Sequence, residues 1–183
     1  MGDYLPLATR GIITIAGEDR FEFMQGLVSN DLDRCAAGEA IWAALLTPQG
    51  KYLHDFFLLD WQGKLLIDCE ADRLMELGQL LNKYRLRARI EFGIADDLRV
   101  FALPLGLTGR DGGGESSTVV EHDGGIAFRD PRHPDMGARA ILPAQAEIDS
   151  PGDEADYLKL ETRRIRLAVP DGSRDLQPGK ALL

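Results

Sequence analysis

Asp55 is the residue whose type and position most strongly indicate chemistry. It lies in a run predicted to form a strand, residues 51–60. Strand alternation puts it on the same face as Leu53, Phe57 and Leu59. A carboxylate on such an apolar face is costly to bury unless it is paired or binds a ligand. Asp55 is therefore a candidate for catalysis or ligand binding. The alternatives are a half-exposed face or an ion pair with an arginine.

A basic cluster near the end of the chain is the second candidate. Lys159, Arg163, Arg164 and Arg166 fall on a helix predicted for residues 153–169. Because a guanidinium group binds carboxylates and phosphates bidentately, the cluster could receive an anionic ligand tail. The alternative is a solvated face that pairs with neighbouring acidic residues.

Two further polar groups lie at predicted turns. Asn30 and Asp31 follow the end of a predicted helix, and Asp130 precedes Pro131 and Arg132. Asn and Asp side chains commonly bond the backbone of turns, so a structural role is the default interpretation of both groups.

The sequence predicts no metal or redox site. The histidines His54, His122 and His133 are scattered, without the spacing of metal ligands. Cys35 and Cys69 form neither a close pair nor a zinc motif. We predict that both are buried structural thiols in a reducing compartment. No serine lies in a Gly-x-Ser-x-Gly elbow, so the pattern does not favour a hydrolase.

The elements that must position these residues are strands joined largely by hairpins. Apolar and alternating runs predict strands at residues 11–15, 40–47, 51–60, 65–69, 87–94, 100–105, 118–121, 125–129 and 138–142. Helices are predicted from residues 17–19 to near 26–30, at 71–84 and at 153–169. In the helix at 71–84, the stripe of Leu74, Leu77, Leu81 and Tyr84 faces the core.

The order of these elements favours an α+β fold with mostly antiparallel sheet. The clearest hairpin surrounds the turn at residues 48–51, where proline and glycine are suitably placed. Two modules are predicted, residues 1–97 and 98–183, which could interleave. The glycine-rich segment 110–117 is expected to be a mobile loop.

Composition narrows the possible partners. The chain has 183 residues, with 21 basic and 30 acidic side chains and a net charge of −9. A broad basic face is therefore not expected, nor is direct nucleic-acid binding. No apolar run approaches the roughly 18 residues of a membrane span. The start, Met1-Gly2-Asp3-Tyr4, has neither a basic nor an apolar leader region, so we predict a cytoplasmic protein.

Four stretches together resemble the folate-binding YgfZ proteins and the related glycine-cleavage T-proteins. They are FEFMQGLVSND at residues 21–31, LTPQGKYLHDFF at 46–57, KYRLRARI at 83–90 and RIRLAVP at 164–170. The segments at residues 130–132 and 137–139 also fit. The resemblance covers residues 11–180. It stops short of the family's Lys-Gly-Cys-Tyr-x-Gly-Gln-Glu motif and C-terminal barrel, and Ala168 replaces a family glycine.

The resemblance implies an aminomethyltransferase-like fold with tetrahydrofolate in a central cavity. It also implies a role in the maturation or repair of iron–sulfur enzymes, among them a tRNA-modifying one. Asp55 aligns with the aspartate that T-proteins use against the folate and its aminomethyl group. Asn30 lies in the first matching stretch, and the third contains Tyr84 and Arg87.

The leading hypothesis is a tetrahydrofolate-binding accessory protein whose partners are folate and iron–sulfur client proteins. Asp55 would anchor the pterin, with Asn30 nearby, and Tyr84 would stack on a flat ring. Arg87 or Arg164 would hold the glutamate tail. Two alternatives remain open at this point. One is a folate-dependent aminomethyltransferase, in which Asp55 positions the folate amine for one-carbon transfer. The other is an interaction module without a ligand.

Overall fold

The computed structural model describes residues 4–103, 117–148 and 151–182. Within these ranges there are ten strands, which in chain order are β1 (Leu5–Pro6), β2 (Arg10–Ala16), β3 (Ile41–Leu46), β4 (Tyr52–Trp61), β5 (Lys64–Glu70), β6 (Glu91–Ile94), β7 (Leu98–Leu103), β8 (Val120–His122), β9 (Gly125–Arg129) and β10 (Ala138–Pro143). The α-helices of the same ranges are α1 (Arg20–Gln25), α2 (Asp33–Ala36), α3 (Leu74–Tyr84) and α4 (Glu154–Arg166). Apart from Ser117, the predicted glycine-rich loop lies outside the described residues.

The chain forms two compact units, each built from two chain segments. Unit one comprises Thr9–Ala95 and Asp171–Leu183. Unit two comprises Met1–Ala8 and Asp96–Pro170.

Unit one is a five-stranded sheet in the order β3-β4-β5-β2-β6, with antiparallel pairing throughout. Its three helices pack on one face of the sheet. Met24 of α1, Cys35 of α2, and Leu77 and Leu81 of α3 are buried in the same apolar core as the inward residues of the strands. Every other strand position therefore faces away from this core, and Asp55 is one of those positions.

The β3–β4 hairpin has the turn that the sequence predicts. The Thr47 amide donates to the Lys51 carbonyl at 2.8 Å, and the Gly50 amide donates to the Thr47 carbonyl at 2.8 Å. Gly50 has a φ of +77°, a conformation that glycine adopts without strain. The turn thus fixes the start of β4, the strand that carries Asp55.

Unit two is a second antiparallel sheet, in the order β1-β7-β10-β9-β8, together with α4. The helix begins with a capping box: the Asp153 side chain accepts from the Asp156 amide, and Asp156 accepts from the Asp153 amide. It ends four residues before Pro170. The predicted α+β class with antiparallel sheet is confirmed in both units.

Two local predictions are wrong. The strand predicted at residues 87–94 begins only at Glu91, because its partner β2 ends at Ala16, which pairs with Glu91. Before it, Leu86 has a left-handed φ of +44° and the chain turns. Tyr84 does not join the core stripe of α3: the helix ends at this residue and its side chain is 44% exposed. Helix α2 is an addition that the apolar pattern did not predict.

Among the described residues, no helix is long and apolar enough to cross a membrane.

Candidate functional site

An irregularity in the β3–β4 pairing brings Tyr52 to the face of the sheet that carries Asp55. Leu45 pairs with His54 and Leu46 pairs with Tyr52, so the register skips Leu53. A bulge of this kind inserts one residue and reverses the alternation beyond it. As a result the Tyr52 hydroxyl donates a hydrogen bond of 2.8 Å to Asp55 Oδ1.

Trp42 holds the other oxygen of the same carboxylate. It pairs with Phe57 across the β3–β4 ladder and is therefore a diagonal neighbour of Asp55 on this face. Its indole Nε1 donates to Asp55 Oδ2 at 2.9 Å. Both oxygens thus accept a hydrogen bond from an aromatic side chain.

Asn30 bonds the backbone of Trp42 and, among the described residues, makes no hydrogen bond to Asp55. Its Nδ2 donates to the Trp42 carbonyl at 2.8 Å, and its Oδ1 accepts from the Asp31 amide at 2.8 Å. The neighbouring Ser29 bonds both backbone groups of Ala44. The segment after α1 is therefore fastened to β3. Asn30 positions the residue that bonds Asp55 and also makes the turn bond that its residue type predicts.

A second carboxylate, Glu70 at the end of β5, lies beside the first. The Tyr52 hydroxyl is 3.4 Å from Glu70 Oε1 as well as 2.8 Å from Asp55. Ser173 binds Glu70 through its amide (2.7 Å to Oε1) and its hydroxyl (2.6 Å to Oε2). The two acidic side chains thus share one tyrosine, and the C-terminal segment of unit one closes over them.

Gly172 permits that closure. It is buried, with a φ of +52°, and a Cβ at this position would lie 2.1 Å from Glu70 Oε1 and 3.2 Å from Asp55 Oδ1. A side chain here would displace the Glu70 carboxylate. We name the group Trp42, Tyr52, Asp55, Glu70, Gly172 and Ser173 the acidic cluster.

Asp55 is 4% exposed and makes no ion pair within the part of the chain that the structure describes. The ion pair with an arginine that was an alternative for Asp55 is instead found at Asp68, whose Oδ1 is 2.6 Å from Arg10 Nε. Burial, together with the charge of Asp55 and its hydrogen bond, raises the pKa of Tyr52 well above its ordinary value of 10.0. Tyr52 is therefore a neutral donor at physiological pH.

The other predicted binding residues of unit one are exposed. Tyr84 ends α3 and Arg87 lies in the segment that follows it. No hydrogen bond, ion pair or ring contact joins either residue to Asp55 in the described ranges. Of the predicted residues in unit one, the structure therefore brings Asn30 and Asp55 together through Trp42.

Arg164 belongs to unit two and is buried. Its Nε and Nη2 donate to Glu161 at 2.7 and 3.0 Å, and its Nη1 is 3.4 Å from the Val169 carbonyl. A ligand carboxylate at this residue would have to replace Glu161.

The sequence did not predict most of the acidic cluster. Tyr52 is part of the second matching stretch, which was the only signal for it. Glu70 and Ser173 are 103 positions apart in the chain, and no local pattern connects them. Among the described residues, no group of three or more His, Cys, Asp or Glu side chains could hold a metal ion.

Comparisons with known proteins give a consistent class of relatives. No family model matches the chain. The chain is similar to iron–sulfur cluster assembly factors. The human mitochondrial iron–sulfur cluster assembly factor IBA57 is 30% identical over 94% of this chain and 52% of its own length. The Neurospora crassa homologue is 25% identical over 96% of this chain and 43% of its own length.

The chain thus spans about half the length of these relatives. Both are named as mitochondrial proteins, as is the Mycosarcoma maydis homologue, which is 25% identical over 94% of the chain. These names contradict the prediction of a cytoplasmic protein.

The fold also has a solved counterpart. The glycine cleavage system aminomethyltransferase T from Bartonella henselae superposes with a TM-score of 0.60 over 86% of this chain and 44% of its own. Sequence identity is 13%, so the likeness shows the fold alone. The predicted aminomethyltransferase-like fold is confirmed.

Proposed function

We propose that this chain binds tetrahydrofolate and serves as an accessory protein in iron–sulfur cluster assembly or repair, in the manner of the YgfZ proteins it resembles. The proposal draws on relatives named as iron–sulfur cluster assembly factors and on the aminomethyltransferase-like fold. The single observation that carries the folate part is Asp55, a buried carboxylate bonded by two neutral donors and without an ion pair among the described residues.

The acidic cluster suits a ligand that donates N–H groups. A reduced pterin presents ring and amino N–H groups, and ionised carboxylates only accept hydrogen bonds. Each oxygen of Asp55 accepts one hydrogen bond from a side chain and has a second lone pair. Because no arginine or lysine pairs with Asp55 in the described ranges, a donating ligand would not have to displace a cation.

The chain's own residues would orient this acceptor. Trp42 and Tyr52 fix the plane of the carboxylate, and Asn30 fixes the backbone of Trp42. Tetrahydrofolate supplies, when bound, a carrier for one-carbon units. Tyr84 and Arg87 are not assigned to this ligand, because α3 and the segment after it pack on the face of the sheet opposite to Asp55.

Titration with tetrahydrofolate tests the proposal. Asp55→Asn should weaken binding about ten- to a hundredfold, the equivalent of about 1.5–3 kcal/mol for a hydrogen bond to a charged group. Because an asparagine NH₂ would face either Tyr52 or Trp42, the melting temperature should fall slightly as well. Asp60→Asn is the matched control. Asp60 lies on the same strand, but its partly exposed side chain pairs with Arg20 and with no residue of the acidic cluster.

The outcomes separate the three hypotheses. Unchanged affinity in Asp55→Asn with a markedly lower melting temperature would make the acidic cluster purely structural. A wild-type chain that binds no tetrahydrofolate would favour the ligand-free interaction module. Release of a one-carbon unit to folate in an assay with purified glycine-cleavage partners would favour the aminomethyltransferase.

A further inference from the structure

Unit two contains a cleft that the folate proposal does not use. It lies between the turn Pro134–Met136 and helix α4 and has a volume of about 510 Å³. The side chains that define its chemistry are Asp135, Leu158, Lys159, Thr162, Arg163 and Arg166. Clefts of roughly 300–1,000 Å³ are the size of small-molecule sites.

The basic residues of helix α4 point in two directions, one toward the interior of unit two and one toward the cleft. Arg164 is buried and bonds Glu161. Lys159, Arg163 and Arg166 recur at intervals of four and three residues, which places them on one face along about 10 Å of helix. The predicted basic cluster is therefore two groups: one structural arginine and three cations that line the cleft.

The cations of the cleft are not equally neutralised. Lys159 Nζ lies 2.8 Å from Asp156 Oδ1. The side chains of Arg163 and Arg166 make no hydrogen bond or ion pair within the described residues. Asp135, on the opposite wall, has a 70% exposed side chain, and among the described residues its one ion-pair contact is with His133. The cleft thus holds an excess of positive charge in a chain whose net charge is −9.

Arg163 provides the observation that points to a ligand. Its Nη1 is inaccessible to solvent and has no hydrogen-bond partner. A buried donor of this kind is costly when unsatisfied, and more so when it carries charge. Because Nη1 is closed off from solvent, an anion in the cleft would bond it only after the guanidinium group of Arg163 turns toward the cleft, and that turn would relieve the unsatisfied donor. A guanidinium group can bind such an anion through two parallel N–H donors.

We propose that this cleft is a binding site for a small organic anion, a phosphate ester or a carboxylate that also carries a hydroxyl or amino group. Arg163 and Arg166 bind the anionic group. The 60% exposed Leu158 provides an apolar wall. Asp135 accepts a hydrogen bond from the hydroxyl or amino group of the same molecule, which explains an acid in an otherwise basic cleft.

Calorimetric titration of the chain with glycerol 3-phosphate and, separately, with glycerate tests this site. The two probes share hydroxyl groups and differ in the anion, so they distinguish the phosphate source from the carboxylate source. At least one should bind with a dissociation constant of about 1 mM or tighter. Arg163→Gln and Arg166→Gln should each weaken that binding tenfold or more.

Arg99→Gln is the control, since it makes the same charge change in unit two at an exposed residue that does not line the cleft. It should leave binding within twofold. Arg163→Gln should not lower the melting temperature, because it removes an unsatisfied donor. The proposal is overturned if neither probe binds, or if Arg99→Gln weakens binding as much as the cleft variants do. Loss of fold in Arg163→Gln together with unaltered binding in Arg166→Gln would overturn it equally.

Discussion

The Tyr52 hydroxyl donates a 2.8 Å hydrogen bond to Asp55 although the two residues are three positions apart on one strand. In a regular strand an odd separation puts two side chains on opposite faces. The bulge at Leu53 removes that difference and makes the pair possible. The buried carboxylate therefore depends on a backbone irregularity directly after the Pro48–Lys51 turn.

Removal of the Tyr52 hydroxyl should destabilise the protein. In Tyr52→Phe, Asp55 Oδ1 loses a buried donor, so the free energy of unfolding should fall by about 1–3 kcal/mol. Urea denaturation measures the change. Tyr84→Phe is the matched control: its ring is 44% exposed, and the change should stay within about 0.5 kcal/mol. Equal effects in the two variants would show that the Tyr52–Asp55 bond contributes nothing to stability.

Gly172 should tolerate substitution less well than Gly179. Both have a positive φ, so alanine strains the backbone at both positions. Only at Gly172 must the new Cβ also displace the Glu70 carboxylate from Ser173, whereas nothing lies within 4 Å at Gly179. We expect Gly172→Ala to cost about 1–3 kcal/mol more, the size of the hydrogen bonds lost.

Limited proteolysis provides a second measurement of the same change. If the acidic cluster fastens the C-terminal segment, Gly172→Ala should expose residues after Pro170 to cleavage at a protease concentration that leaves Gly179→Ala intact. Identical digestion of the two variants would mean that the other contacts of the segment, such as the Tyr52 amide to the Ala181 carbonyl at 2.9 Å, hold it alone.

The Arg10–Asp68 pair should contribute far more to stability than surface pairs do. The Arg10 side chain is 6% exposed and that of Asp68 is fully buried. Burial opposes the charge of Arg10, yet the charge and hydrogen bond of Asp68 raise the pKa of Arg10 above its ordinary value. Arg10→Met should therefore cost about 3–5 kcal/mol, because Asp68 stays buried without its guanidinium partner.

A double replacement checks that reason. Arg10→Met combined with Asp68→Leu should recover much of the lost stability, since no uncompensated charge remains. Arg34→Met, which breaks the exposed pair with Glu39, is the control and should cost at most about 1 kcal/mol. If Arg10→Met costs no more than Arg34→Met, burial does not govern the energy of the pair.

Local patterns predicted the parts of the site that are local. Alternation on β4 identified Asp55 as a carboxylate on an apolar face, and the hairpin turn fixed where that strand begins. The bulge escaped prediction because it arises from the pairing of β3 with β4 rather than from either strand alone. The same limit explains the strand predicted before Glu91: β2 ends at Ala16, which pairs with Glu91, so residues 87–90 have no residues of β2 to pair with. Ile94, predicted to share a face with Ile90, is 50% exposed.

Long-range contacts were beyond such patterns. Glu70 and Ser173 become neighbours because the C-terminal segment returns to the sheet of unit one, and no periodicity encodes that return. For the basic cluster on α4, the spacing could be predicted but the roles of its members could not. Its spacing was visible in the sequence, but only the structure separates Arg164, which bonds Glu161, from the three cations that line the cleft.

Asp130 should make the stability of unit two sensitive to acid. It is bonded by Arg132 at 2.6 and 2.9 Å, and Arg139 lies 3.6 Å away. Burial alone would raise the pKa of Asp130. The hydrogen bonds and charges of the two arginines outweigh burial and lower the pKa below its ordinary value of 3.8. The folded state therefore favours the ionised carboxylate more than the unfolded state does.

The sign of the pH dependence follows from that lowered pKa. Stability from Asp130 is complete above pH 3.8 and is lost as the pH falls through the lower folded pKa. Asp130→Asn should thus reduce stability at neutral pH by about 3–5 kcal/mol, since Arg132 loses its buried partner. The deficit should shrink below pH 4. Urea denaturation from neutral to acid pH measures it, with the exposed Asp135→Asn as control. A deficit that is constant with pH would show that Asp130 acts through packing and not through its charge.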